Sequence, residues 1–127
     1  MKGEQLSKML VLATNRHAGQ FDQGGTPYIL HPLKVMYYLK TDDEQLMCIA
    51  LGHDLLEDTF KHVKDGVGTL RYNGFSERVI AGIVALTKVE GENYDDYKAR
   101  IKANPDAVKV KLADLRDNTR LDRMLLR

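Results

Sequence analysis

The chain lacks tryptophan, has one cysteine and three prolines in 127 residues, and carries a formal net charge of only +1. Each scarcity excludes something. A lone cysteine, Cys48, cannot close an internal disulfide, so no covalent staple holds the fold, and a reducing, cytoplasmic setting is expected. Set between Met47 and Ile49, Cys48 reads as a small core residue. A charge this close to zero gives no broad field for capturing nucleic acid or an anionic membrane, so neither is expected as a partner. No apolar stretch approaches the roughly 18 residues that a membrane span needs. The first seven residues carry Lys2 and Glu4 and do not read as a signal peptide.

What is present is ordinary for a soluble globular chain: 43% hydrophobic and 29% charged residues, without repeats or low-complexity tracts. Residues 1–127 are expected to form a single domain with a real core. Helical periodicity dominates. Leu6, Met9, Leu10 and Ala13 make a 3.6-period stripe over roughly residues 4–19. A loop follows, marked by Gly24, Gly25 and Pro27. Pro32 reads as the first position of a second helix. Thr41 and Asp42 read as cap candidates for a third, which runs on through His53 to Asp58. Residues 59–75 are ambiguous because Gly66, Gly68 and Gly74 interrupt them. Ser76 opens a fourth clear helix, Tyr94 to Ala103 makes a fifth, and Asp106 caps a sixth running towards the C-terminus. No period-2 strand is evident. The expected class is all-α, a compact bundle of about six helices.

One segment sets the chemical question. In "ALGHDLLEDT", Leu51, Leu55 and Leu56 demand burial, yet His53, Asp54, Glu57 and Asp58 put four ionisable groups into six positions. On a continuous helix His53 stacks with Glu57 and Asp54 with Asp58, and His53 shares a face with Leu46, Ile49 and Ala50. Buried charge is costly unless it is paired or bound to a metal. Three acids around one histidine call for a cation, and a divalent metal is the simplest. Two further ligands stand out. His31 is pinned before Pro32 at a helix entrance, where the plainer reading is a capping role. Asp114 lies in an apolar run with Val108, Val110, Leu112 and Leu115; its plainer reading is a salt bridge to Lys111 or Arg116. Together His31, His53, Asp54 and Asp114 offer two imidazoles and two carboxylates. That mixed N/O set suits Mn, Fe, Co or Zn better than Ca or Mg. Coordination positions remain for water and a phosphate oxygen, as metal-assisted hydrolysis requires.

The stretches "ATNRHAGQ", "GTPYILHPLKV", "HDLLEDT" and "KLADLRDN", in this order and spacing, resemble the HD-domain metal-dependent phosphohydrolases. More narrowly they are similar to the hydrolase domain of the RelA/SpoT enzymes and their small single-domain relatives, which remove the 3′-pyrophosphate of (p)ppGpp. The resemblance implies a helical HD fold, with His31, His53, Asp54 and Asp114 as ligands of one Mn²⁺. It implies that Glu57 and Asp58 position or deprotonate the attacking water, and that Asn118 lies near the nucleotide sugar. Three positions depart from the family. Asp22 and Gln23 stand where it carries an Arg-Lys pair that contacts guanine and phosphate, and Leu121 stands where it has threonine.

In the mechanism this suggests, Glu57 takes the proton of a metal-activated water while Asp58 orients it or shares the work. Cations are needed for the phosphates, and Arg16, Lys88, Lys111 and Arg120 are candidates, each with a plain surface role as the alternative. His17 is a further candidate phosphate donor. Tyr94 and Tyr97, three apart on a helix, read as packing residues before base-stacking ones. The expected activity is a (p)ppGpp 3′-pyrophosphohydrolase-like hydrolysis of a nucleotide phosphate. The alternatives are an HD nucleotidase or phosphodiesterase acting on another phosphoester, and a non-catalytic metal or nucleotide sensor. Leu121, Met124, Leu125 and Leu126 leave an apolar C-terminal end open to a core or a homo-oligomer contact.

Overall fold

The computed structural model describes residues 2–122. Met124, Leu125 and Leu126 of the apolar C-terminal end lie outside the described residues. Among the described residues eight helices are formed: α1 (Glu4–Arg16), α2 (Leu30–Tyr38), α3 (Glu44–Gly52), α4 (Leu55–Thr59), α5 (Val63–Tyr72), α6 (Glu77–Ala85), α7 (Tyr94–Lys102) and α8 (Pro105–Asn118). Among the described residues no strand occurs, only an isolated bridge between Phe21 and Pro27 in the α1–α2 loop. The all-α class follows directly from the periodicity.

Helix α3 is the hub. Leu46, Cys48, Ile49, Ala50, Leu51 and Gly52 are all buried on it, so it is apolar nearly all round, the pattern of a helix wrapped by others. Helices α1, α2, α6 and α8 pack against it. Close approach depends on glycine at three places, of which Gly82 and Gly66 are the tightest. A Cβ on Gly82 of α6 would stand 2.5 Å from Ile49 Cδ1, and one on Gly66 of α5 would stand 2.7 Å from Leu56 Cγ. Gly66 therefore sits inside a helix because α4 leaves no room for a side chain, which resolves the ambiguous stretch 59–75 as α5.

Local signals place the helix ends, with three corrections, and a fourth concerns the face of α8. Ser76 caps α6 through Val79 N–H as expected. Helix α3 is capped by Asp43, whose carboxylate accepts from Gln45 N and Leu46 N; Thr41 Oγ1 instead accepts from Asp43 N. Asn104 caps α8, with Pro105 in its first turn, and Asp106 pairs with Arg78 at 2.8 Å. Pro32 is the third residue of α2, still within the first turn where its missing N–H costs nothing. Leu112 and Leu115 are exposed, and the buried face of α8 is Ala107, Val110, Ala113, Asp114 and Asp117.

The largest correction concerns the third helix. It does not run through to Asp58. It stops at Gly52, and Asp54, with φ −105° and ψ 1°, opens the separate helix α4. The reason is geometric: adjacent residues on a regular helix do not face the same way. Breaking the helix between them lets His53 and Asp54 aim at one point.

Candidate metal centre

Three segments converge. The first turn of α2 supplies His31, the α3–α4 break supplies His53 and Asp54, and the buried face of α8 supplies Asp114. His31 and His53 are each 3% exposed and Asp114 6%. Asp114 Oδ1 lies 2.7 Å from His31 Nε2 and 3.3 Å from His53 Nε2. Asp54 Oδ2 lies 3.0 Å from His53 Nε2 and 3.9 Å from His31 Nε2. One ligand atom each from His31, His53 and Asp54 falls within 4.8 Å of the other two.

These spacings have a chemical meaning. Donors at right angles, each about 2.1 Å from a shared ion, stand about 3 Å apart, and opposed donors about 4.2 Å. The orientation of the rings fits as well. His53 Nδ1 lies 2.7 Å from the Ala50 carbonyl oxygen, and His31 Nδ1 lies 2.6 Å from Asp117 Oδ2. Each Nδ1–H therefore has its own acceptor, and each Nε2 is turned towards the two aspartates. Two imidazole nitrogens and two carboxylates make a set that fits a divalent transition metal.

The carboxylates are held in turn. The Tyr28 hydroxyl donates to Asp54 Oδ2. Lys111 Nζ donates to Asp114 Oδ2 at 3.3 Å, and Asn118 Nδ2 donates to Asp114 Oδ1 at 3.1 Å. The salt bridge from Lys111 to Asp114 thus exists beside the histidine contacts, whereas Arg116 stacks on the Tyr38 ring, 4.4 Å from its centroid.

Charge is concentrated here, and the acidities show it. Burial pushes the His53 pKa down, but the Asp54 carboxylate and the hydrogen bonds to Asp114 and Asp54 carry it well above its usual value. Burial alone would raise Asp54; His53 and the Tyr28 hydroxyl bring it to about 2. Asp114 is held far below the ordinary carboxylate range, against burial, by both histidines. The Tyr28 phenol is pushed up strongly by burial and by Asp54.

The acidic pair divides. Asp58 is pushed up to about 6, by burial first and then by the charges of Asp54 and Glu57. Glu57 points the other way, its Oε1 accepting from the Lys88 main-chain N–H at 2.8 Å. Beyond Glu57 opens a groove of about 620 Å³ lined by Lys61, His62, Lys64, Thr87 and Lys88 among others. Neither Lys61 nor Lys64 forms an ion pair among the described residues.

The remaining candidates are distributed unevenly. Arg16 stacks over the Phe60 ring, 3.7 Å from its centroid, and bonds the Thr59 hydroxyl and carbonyl oxygens, so it braces the end of α4. Arg120 pairs with Asp117 at 3.2 Å and Asp122 at 3.0 Å. His17 is buried, its Nδ1 2.7 Å from Gln20 Oε1 and its ring 5.1 Å from that of Tyr28. Asp22 Oδ1 accepts from Gly24 N and Thr26 N and so closes its own loop. Tyr97 is buried, with its hydroxyl donating to the Leu86 carbonyl oxygen, in keeping with a packing role.

Sequence reasoning missed Tyr28 and Asp117. Tyr28 stands in the turn before α2, three residues before His31, and reaches Asp54 from there, a contact that helical spacing does not signal. Asp117 lies three residues after Asp114, on the same face by helical spacing.

No family model matches the chain. Curated relatives do. It is 28% identical over 127 residues to a guanosine-3′,5′-bis(diphosphate) 3′-pyrophosphohydrolase of Aquifex aeolicus, with 92% of this chain and 18% of that protein covered. It is 33% identical over 125 residues to a GTP pyrophosphokinase rsh of Brucella ovis, with 91% and 16% covered. A guanosine-3′,5′-bis(diphosphate) 3′-pyrophosphohydrolase of Borreliella burgdorferi is 32% identical over 88 residues, 68% of this chain and 12% of that protein. The chain thus spans less than a fifth of the length of these relatives. Across about nine-tenths of its residues, it is similar to one stretch of the RelA/SpoT enzymes, consistent with the HD-type hydrolase domain its motifs resemble.

Proposed function

We propose that this chain is a metal-dependent phosphohydrolase acting on a nucleotide carrying a pyrophosphate, with a (p)ppGpp-type 3′-pyrophosphate as the leading substrate. The observation that carries the reading is the convergence of His31, His53, Asp54 and Asp114 at ligand spacing, with both Nε2 atoms turned inward. A bound divalent cation, Mn²⁺ in this reading, would lower the pKa of a coordinated water and neutralise charge on a phosphoryl oxygen. Those four residues would hold it.

The chain's own groups supply the rest. Asp58, with a pKa near 6, accepts the water proton at neutral pH, where a base of that strength is both ionised and effective. The water oxygen forms a bond to the phosphorus nearest the ribose. The bond from that phosphorus to the 3′-oxygen breaks, the 3′-oxygen takes a proton, and pyrophosphate leaves. Glu57, fixed by the Lys88 amide, stands between this centre and the lysine groove. Lys61, Lys64 and Lys88 there suit the departing or distal phosphates. This assignment moves the base role from Glu57 to Asp58, because Asp58 is the member of the pair that feels Asp54.

A hydrolysis panel with Mn²⁺ tests the reading: ppGpp, pppGpp, nucleoside 5′-monophosphates and cyclic dinucleotides. Pyrophosphate released from ppGpp supports it. Turnover of monophosphates or cyclic dinucleotides alone selects the nucleotidase or phosphodiesterase reading, which the Asp22 and Gln23 loop favours because it presents no cation. No turnover with metal bound selects the sensor.

A further inference from the structure

Helix α8 grips the His31 ring from two sides. Asp114 Oδ1 lies 2.7 Å from Nε2, and Asp117 Oδ2, one turn along, lies 2.6 Å from Nδ1. Asp117 is 0% exposed. A buried carboxylate is expensive unless hydrogen bonds and charge compensate it, and a purely packing role on this stripe is served by residues like Ala107, Val110 and Ala113. Arg120 supplies compensation from behind, 3.2 Å from Asp117 Oδ1. The other ring is treated differently: His53 Nδ1 faces only the neutral carbonyl of Ala50.

We propose that Asp117 is a positioning residue for His31. It accepts the Nδ1–H, so it fixes the tautomer that offers Nε2 to a divalent cation. As a full negative charge, where Ala50 offers only a carbonyl dipole, it makes His31 the stronger electron donor of the two imidazoles. Arg120 holds the carboxylate in place, which gives that arginine a task away from the substrate. The proposal rests on the metal reading above; Asp117 acts through His31 and touches neither the reacting atoms nor the ion.

The test uses the full chain, stripped with a chelator and titrated with Zn²⁺ against a chromophoric competitor. Nitrogen-15 NMR of the histidine rings is recorded alongside, since Zn²⁺ is diamagnetic. Asp117→Ala should lower Zn²⁺ affinity about 10- to 100-fold and abolish the protected Nδ1–H signal of His31. Asp117→Asn keeps an oxygen acceptor without the charge, and its affinity should fall between Asp117→Ala and the parent. Asp122→Ala, which removes the other partner of Arg120, should leave affinity unchanged. Should Asp117→Ala fail to fold, Asp117→Asn decides alone: an intermediate loss supports the proposal, and parental affinity with the parental His31 tautomer overturns it. If the parent itself binds no Zn²⁺, the metal reading and this proposal fall together. If the parent binds and both Asp117 variants match it, only this proposal falls.

Discussion

The main-chain N–H of Lys88 donates to Glu57 Oε1 at 2.8 Å, tying the segment after α6 to the short helix α4. That bond separates two carboxylates that stand side by side in the sequence. Glu57 is anchored at one oxygen, while the acidity of Asp58 is set by burial first and then by the charges of Asp54 and Glu57. Asp58→Asn should therefore lower kcat about 10²- to 10⁴-fold with metal retained. Glu57→Gln, which keeps an oxygen for the Lys88 amide, should cost less. Steady-state kinetics of both variants with metal analysis checks this; a larger loss in Glu57→Gln than in Asp58→Asn would return the base role to Glu57.

The pH dependence carries a sign. Asp58 is raised to about 6, so it is ionised and competent as a base only above that pH. The acidic limb of kcat/KM should rise through about pH 6 and be absent in Asp58→Asn. Its effect on stability is opposite. The native carboxyl binds its proton more tightly than the unfolded chain does. This group's contribution is full below the ordinary aspartate range and is lost as pH rises through about 6. Thermal unfolding of metal-free parent and Asp58→Asn across this range reads that contribution.

Helix packing is tested at Gly82. Its missing side chain leaves room for Ile49, whose Cδ1 would stand 2.5 Å from an added Cβ. Gly82→Ala should destabilise the fold by about 1–3 kcal/mol through overpacking, despite the gain in helix propensity. A Tm equal to or above the parent's would show that α3 and α6 are not in such close contact.

The lysine groove gives a substrate test. Lys61→Glu with Lys64→Glu should raise KM for a pyrophosphate-bearing nucleotide and leave metal affinity unchanged, because neither lysine contacts the four candidate ligands. An unchanged KM would place the phosphates elsewhere.

Much of this was legible in the sequence, and the exceptions have physical causes. Met9 and Ala13 on α1, the Ser76 cap and the buried Cys48 follow from periodicity and local chemistry, whereas Leu10 of the expected α1 stripe is exposed. His31, His53, Asp54 and Asp114 stood out because polar groups in apolar runs are costly, a conflict visible without coordinates. The break between α3 and α4 was signalled only by Gly52, the last residue of α3, a single glycine that a continuous helix also tolerates; the break aims two adjacent side chains at one point. Asp43 and Asn104 were passed over as caps because a neighbouring acid or hydroxyl scores equally well. The roles proposed for Asp117 and Arg120 depend on which ring nitrogen faces which helix, a tertiary fact that spacing along the chain does not encode.

The central claim is that four side chains, brought from three segments, share one cation. Metal content of the chelator-stripped, Mn²⁺-reloaded and desalted protein measures it directly. The account predicts one ion per chain in the parent and a loss of retained metal in Asp54→Ala and His53→Ala, both folded by circular dichroism. A parent that retains no metal, or an Asp54→Ala variant that retains it as well as the parent, would contradict it.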